Sequence, residues 1–146
     1  MATQLQPSAP CPCGRTNPAK KPLAYGHCCG RYVEDFANSP APDAESLMRS
    51  RYSAFVLCRD DYLRATWHTS TRPTDVAADA DTRWLGLEVR AHKLQDADHA
   101  TVEFVARYRI NGRAVRIHEL SRFVREQGRW YYLDGELELP AKASVA

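Results

Sequence analysis

VEFVARYRINGRAV, residues 102–115, is the stretch that determines the fold class of this chain. Apolar residues occupy every second position from Val102 to Ile110, which is the period of a strand with one buried face. Asn111-Gly112 separates this run from a second alternating run, and this dipeptide favours a two-residue hairpin turn. We therefore predict two antiparallel strands joined at Asn111-Gly112.

The same two-residue period predicts a further strand on each side of this hairpin. The earlier strand follows Trp84 and has one face made of Leu85, Leu87, Val89 and Ala91. The second half of the hairpin covers about residues 114–125, and a turn at residues 126–128 leads into a fourth strand over about residues 129–139. The predicted sheet therefore has four antiparallel strands joined by short turns.

Helices are predicted only before the first strand. Asp43 can cap a helix over about residues 44–58. Its apolar residues recur at three- and four-residue steps and are Leu47, Met48, Tyr52, Phe55 and Val56. Shorter helical segments are predicted near residues 61–66 and, after Pro73, near residues 74–80. Helices followed by an antiparallel sheet indicate an α+β fold, with the helices packed on one face of a curved four-stranded sheet.

Length and composition restrict the class of protein. A chain of 146 residues has room for one main core and a small appendage, and its 44% hydrophobic and 26% charged residues are typical of globular domains. No apolar run approaches the roughly 18 residues of a membrane span, and the first ten residues do not resemble a signal peptide. We therefore expect a cytoplasmic protein with no membrane contact.

Four of the five cysteines form two close pairs, Cys11 with Cys13 and Cys28 with Cys29. Pro12 and Gly14 favour a sharp turn at the first pair, and the adjacent second pair reaches one ion only where the backbone turns, as at a helix start. Four thiolates can hold one divalent ion, with zinc preferred to iron, in a closed and therefore structural site. Cys58 stands apart and is expected to be a core thiol.

Two alternatives stay open at this point. The first alternative is that the thiols are free or form a redox pair. The second is that His27 replaces a neighbouring cysteine as a ligand. A metal ion, however, explains how a segment with little apolar material becomes ordered, since seven of the nine prolines precede residue 43.

CPCG, residues 11–14, followed by HCCGRY, residues 27–32, resembles the SEC-C metal-binding motif found at the C-terminus of the SecA translocase. Longer segments resemble the YchJ-like family of bacterial proteins, namely APDAESLMRSRYSAF (41–55), DYLRATWHTSTR (61–72), HELSRF (118–123) and GRWYYLDG (128–135). The family resemblance implies a nuclear-transport-factor-2-like (NTF2-like) domain, a cone of helices against a strongly bent sheet. The motif implies that the metal ligands are Cys11, Cys13, Cys28 and Cys29.

The chain departs from the SEC-C pattern after CPCG. Arg15-Thr16 stand where Ser-Gly is usual, and the loop of fourteen residues, 14–27, is longer than usual. We expect this loop to bulge outward without displacing the cysteines. The predicted organisation is a flexible leader over residues 1–10, a metal-binding module over 11–40, an NTF2-like domain over 41–140 and a tail over 141–146.

A domain of this fold usually encloses a pocket between helices and sheet. The candidate pocket residues are Arg49, Tyr52, Tyr62, Trp67, His68 and His118, with Trp84 and Tyr132 as further aromatic candidates. The alternative is that large rings fill the cone as core, in particular Trp84, Phe104 and Trp130.

Two of these polar candidates, His68 and Arg49, have competing interpretations. His68 ends a helical segment and acts either as a proton acceptor in the pocket mouth or as a partner of a loop carbonyl. Arg49 shares a helix face with Tyr52 and binds either an anionic ligand or a carboxylate of the protein itself. His118 and Glu119 are neighbours on a strand, so they face opposite sides of the sheet and do not act together. No catalytic cluster stands out.

The cysteine region has basic residues and no acidic residue between positions 11 and 33; its cations are Arg15, Lys20, Lys21 and Arg31. Such a rim is typical of contact with phosphates or acidic proteins, or is a solvated surface. The leading hypothesis is a non-enzymatic, metal-binding adaptor whose knuckle contacts a protein or ribonucleoprotein partner. The alternative is a small-ligand-binding protein or an enzyme that uses the pocket. The absence of an obvious pair of pocket carboxylates favours the adaptor.

Overall fold

The structure, a computed structural model, describes residues 3–137. Its helices are α1 Gly30–Val33, α2 Ala44–Val56 and α3 Asp60–Ala65, and its strands are β1 Arg83–Asp96, β2 His99–Ile110, β3 Arg113–Glu126 and β4 Arg129–Leu137. The predicted end of the fourth strand and the predicted tail lie outside the described residues. Among residues 3–137, no helix has the length and apolar character needed to cross a membrane.

The four strands form one antiparallel sheet in the order β1-β2-β3-β4, as predicted. Asn111 and Gly112 both have positive φ, 51° and 75°, which is the conformation that a two-residue hairpin turn requires. Gln127 and Gly128 repeat it with φ of 52° and 78° between β3 and β4. Both turns lie where the sequence placed them, because their conformation depends on local residues.

The predicted face of β1 is only partly correct. Leu87 and Val89 pack against the core, but register shifts follow Trp84 and Val89, and each adds a residue to this strand. The first bulge leaves Leu85 half exposed, and the second places Ala91 opposite Glu103 on the outer face. Bulges of this kind rotate the side chains that follow them, and the two-residue period does not reveal them.

Helix α2 begins where predicted, because the Asp43 carboxylate accepts a hydrogen bond of 2.7 Å from the Ser46 amide. Helix α3 also agrees with the prediction. The predicted helix over residues 74–80 is wrong. There, the Thr74 carbonyl accepts from the Arg64 guanidinium and the Ala78 amide donates to Asp60, so side chains of α3 replace the backbone partners of a helix.

One continuous core joins the cysteine region to the helices and the inner face of the sheet. It runs from the four cysteines through Leu47 and Leu63 to Val102 and Phe123. Trp130 is buried in this core, as predicted for a core ring. The cysteine region therefore packs on the same helix, α2, that covers the sheet.

Candidate metal centre and domain cavity

The first cysteine pair lies on a tight turn. The Cys11 amide donates to the Leu23 carbonyl at 2.9 Å, and the Gly14 amide donates to the Cys11 carbonyl at 3.2 Å. Gly14 has φ of 78°, a conformation that side chains disfavour. The turn that Gly14 was predicted to permit is therefore present, and it directs Cys11 and Cys13 to the same side.

The second pair lies at the start of α1. A short 3-10 helix, Tyr25–His27, ends at Cys28, and Cys29 is the N-cap of α1. The backbone turns at this junction, as the adjacent pair was expected to need. A methyl group on Gly30 would lie 2.7 Å from the Tyr25 carbonyl oxygen, so only glycine fits here.

The four thiols converge within the protein. Their Sγ atoms all lie within 4.8 Å of one another, with Cys13 and Cys28 at 3.6 Å, and none of the four residues is more than 5% exposed. Four thiolates around one ion at about 2.3 Å stand about 3.8 Å apart, so this donor set fits a tetrahedral metal ion. His27 is exposed and is not part of this cluster. Cys58 also lies apart from it, half-buried after α2 instead of in the core.

The clustered thiols share their protons unequally. Hydrogen bonds from the other three thiols hold the pKa of Cys11 well below its usual range. The same network, together with burial, holds the pKa of Cys29 well above that range. Binding of a cation would displace the protons that the buried thiols of this cluster retain.

Arg49 is the positively charged neighbour of this cluster. Its Nη1 donates to the Cys13 carbonyl at 3.3 Å and lies 3.9 Å from the Cys13 Sγ, while its Nε donates to Glu45 at 2.9 Å. Sequence reasoning considered Arg49 for the pocket, and the structure places it against the cysteines. Its charge offsets part of the negative charge that four thiolates would carry.

Sequence reasoning missed Ser53, the second contact from α2 to the cysteines. Its hydroxyl lies 3.6 Å from the Cys11 Sγ, and the side chain is fully buried. Ser53 follows Arg49 by four residues and therefore lies on the same helix face. That spacing is the only signal in the sequence, and it does not show what the face contacts.

A cavity of about 190 Å³ lies between α2 and the inner face of the sheet. It is lined by Met48, Arg51, Tyr52, Phe55, Trp67, Trp84, Phe104, Ala106, Ile117, Glu119, Ser121, Phe123 and Tyr132. Among the candidate pocket residues, Tyr52 and Trp67 lie on its wall, and so do Trp84 and Tyr132. The wall has two charged residues: Arg51, which no motif marks, and Glu119, which was considered only as a neighbour of His118 and not for the pocket.

The other pocket candidates lie elsewhere. Tyr62 is buried against Ser50, with their hydroxyl oxygens 2.7 Å apart. His68 lies in a surface groove, where its amide donates to the Tyr132 carbonyl and its ring contacts Glu126. His118 pairs with Glu103 on the outer face of the sheet at 2.7 Å. These residues do not converge with Arg49 on a common site.

Comparison with known proteins finds relatives along most of the chain. Residues 43–135 match the family model described as YchJ, middle NTF2-like domain. A UPF0225 protein of Polaromonas sp. is 62% identical over 137 residues, which cover 93% of this chain and 99% of the relative. The chain belongs to the YchJ-like family.

Two solved structures are similar to this YchJ-like chain over most of its length. A crystal structure of a SEC-C motif containing protein from Psychrobacter arcticus is 35% identical, with a TM-score of 0.74, and the match covers 92% of this chain and 86% of that one. A solution structure of a SEC-C motif containing protein from Rhodopseudomonas palustris is 32% identical, with a TM-score of 0.72 and coverage of 87% and 97%. The predicted NTF2-like α+β fold is confirmed. The cysteine cluster is compatible with a bound metal ion, in agreement with this similarity.

The enlarged loop of this YchJ-like chain forms a small hairpin between the two cysteine pairs. The Leu23 amide donates to the Arg15 carbonyl at 3.0 Å, and the Asn17 amide donates to the Lys21 carbonyl at 2.9 Å. Lys20, at the tip, has φ of 64°. The additional residues therefore project as a hairpin beside the cysteines, in line with the expected bulge.

The predicted basic rim is smaller in the structure. Arg15 pairs with Glu45 at 3.4 Å and donates to Ser46, so its charge is used within the chain. The side chains of Lys20, Lys21 and Arg31 are exposed, and we call these three residues the knuckle face. In residues 3–137, none of the three forms a salt bridge.

Proposed function

We propose that this YchJ-like protein is a zinc-binding adaptor whose cysteine knuckle contacts a protein or ribonucleoprotein partner. The observation that carries the proposal is the set of four buried cysteines with every Sγ within 4.8 Å of the others. Four protein thiolates complete a tetrahedral ion and leave no open position for a substrate. The ion therefore orders the knuckle and takes no part in chemistry.

Zinc is the proposed ion because a closed site of four cysteines is the common structural zinc site. Iron uses the same donors, so the metal must be measured. Elemental analysis of the purified chain should give one zinc per chain. One iron per chain would support the four-thiolate site with iron in place of zinc. The absence of both metals would contradict the site.

The knuckle face supports a partner that carries phosphate or acidic groups. Its three cations are exposed, and no acidic residue lies between positions 11 and 33. Exposed cations in a segment without acidic residues favour association with a negatively charged surface, and the interaction weakens as salt rises. The cysteine site would fix the positions of Lys20 and Lys21 by holding both ends of the loop.

A charge-reversal experiment tests the contact. The K20E/K21E chain should lose its partner in co-purification from cells at low salt, while it keeps its metal. The R107E/R109E chain is the matched control, because it makes the same change in net charge at two exposed arginines of β2. Equal loss of the partner by both variants would show that the knuckle face is not the contact surface.

A second candidate function is small-ligand binding by the NTF2-like domain. The cavity of about 190 Å³, with a buried arginine on its wall, is the observation that favours it. His68 and His118 lie outside this cavity, so the structure offers ligand binding more support than acid–base catalysis. The two functions use different surfaces and do not exclude each other.

A further inference from the structure

Arg51 places a guanidinium inside the domain. The residue is only 6% exposed, and its Nη1 donates to the Leu63 carbonyl at 2.8 Å and to the Thr66 hydroxyl at 2.7 Å. The guanidinium carbon lies 4.6 Å from the ring centre of Tyr132 and 5.2 Å from that of Trp67. Two neutral acceptors and two aromatic faces therefore hold the cation on the cavity wall.

This charge forms no salt bridge within residues 3–137. No carboxylate oxygen of the described residues lies within 4.0 Å of Arg51, and its Nε and Nη2 donate to none of them. Burial lowers the pKa of Arg51 to about 10, so the group stays charged at neutral pH. Glu119, elsewhere on the cavity wall, acts on this charge only from beyond salt-bridge distance. A buried guanidinium with no carboxylate bonded to it is unfavourable, which makes this position receptive to an anion.

The rest of the cavity is mainly apolar. Trp84, Phe104 and Phe123 form much of the wall opposite the helices. An apolar cavity of about 150 Å³ in another protein binds benzene, so a volume of about 190 Å³ has room for one aromatic ring with a small substituent. The shape and lining therefore suit a compact apolar body.

Glu119 limits the charge of the occupant. The Oε2 atom of Glu119 accepts a hydrogen bond from the Ser121 hydroxyl at 2.6 Å. The same carboxylate packs against Gly135, where a methyl group in place of the glycine hydrogen would overlap it. This second charge on the wall disfavours a dianion in the same cavity. One negative group at Arg51 is the charge that the site can accommodate.

We propose that the cavity binds a small monocarboxylate with one aromatic ring, or an apolar group of similar size, anchored by Arg51. The carboxylate accepts hydrogen bonds from the free guanidinium donors, and the ring packs on Trp84 and Phe104. Charge-assisted hydrogen bonds give Arg51 a directly bonded carboxylate, and the apolar walls select the body of the ligand. The site lies within the NTF2-like domain and does not depend on the proposed metal.

The test titrates the metal-loaded 146-residue chain with benzoate and phenylacetate. Binding is followed by the amide and indole signals of an NMR spectrum. We expect saturable binding with a Kd of about 1 mM or tighter and with shifts at Trp67 and Trp84. Benzamide, a neutral molecule of the same shape, and phthalate, a dianion, should each bind at least about tenfold more weakly than benzoate.

Two variants separate the anchor from the cavity. Arg51→Met should weaken benzoate binding at least about tenfold, but it also removes a contact between α2 and α3 and can disturb the fold. Ala106→Met fills the cavity without touching the guanidinium bonds and should abolish binding. Ala114→Met makes the same substitution at an exposed strand position and should bind as the unmodified chain does.

Three results would overturn the proposal. They are no saturable binding of either monocarboxylate, equal affinity for benzamide and benzoate, and unchanged binding by the Ala106→Met chain. The first two results use the unmodified chain and do not depend on the folding of any variant. A normal set of sheet signals in the spectrum verifies the fold of each variant.

Discussion

Arg49 Nη1 lies 3.3 Å from the carbonyl oxygen of Cys13 and 3.9 Å from its Sγ. This contact joins the first helix of the NTF2-like domain to the cysteine cluster. Glu45 holds the other edge of the same guanidinium, so its orientation is fixed. The candidate metal centre is thereby built from the cysteine segment and from α2 together.

Replacing Arg49 by Met should weaken metal binding by roughly 10–100-fold, because the positive neighbour of the thiolates is lost while the thiols remain. Competition with a chromophoric chelator measures the affinity. Arg116→Met, at an exposed position of β3, serves as the control and should leave the affinity unchanged. An unaltered affinity in the Arg49 variant would show that this contact does not support the site.

Gly30→Ala should destabilise the fold by about 1–3 kcal/mol, because the new methyl group would meet the Tyr25 carbonyl oxygen at 2.7 Å and its ring at 2.9 Å. Urea denaturation of the metal-loaded chain measures the change. Gly86→Ala is the matched control, since a methyl group there meets nothing within 4 Å. Equal stability of the two variants would mean that the packing of Gly30 on Tyr25 is not needed.

Asp43→Ala should lower the free energy of unfolding by about 1 kcal/mol, because the Ser46 amide loses its capping partner at the start of α2. Urea denaturation of the metal-loaded chain measures this change in the free energy of unfolding. Asp81→Ala, in an exposed loop, should change the stability by less than half as much. A larger effect at Asp81 than at Asp43 would contradict the assigned cap.

Removal of the metal should loosen the cysteine segment before the sheet. Hydrogen exchange with and without a chelator should show loss of protection at the amides of Cys11, Leu23 and Tyr25, which form the backbone bonds around the site. Amides of β2 and β3 should keep most of their protection, because the sheet pairs independently of the cysteines. Unchanged protection at Cys11 after chelation would argue against an ordering role for the ion.

Features with a local cause could be predicted from the sequence. Asn111-Gly112 adopts the turn that its residues favour, and Asp43 caps the helix that follows it. The family resemblance then supplied the NTF2-like fold. The bulges of β1 and the missing helix at residues 74–80 could not be predicted, because contacts with β2 and with α3 determine them.

The candidate sites could also be predicted only in part. The spacing of the cysteines identified the four candidate metal ligands. It could not assign Arg49 to the cysteine cluster or Arg51 to the cavity. Arg49 and Arg51 are two positions apart on α2, so they point to nearly opposite sides of the helix. One contacts Cys13 and the other lines the cavity. The packing of α2 between the cysteine segment and the sheet determines which arginine contacts the cysteines and which lines the cavity.

The metal content of the purified 146-residue chain tests the central claim most directly. Elemental analysis of the unmodified chain and of the C28S/C29S variant, prepared in parallel without added metal, should give one zinc per chain in the first and almost none in the second. Absence of both zinc and iron from the unmodified chain, or equal metal in the two preparations, would contradict a metal site formed by the four cysteines.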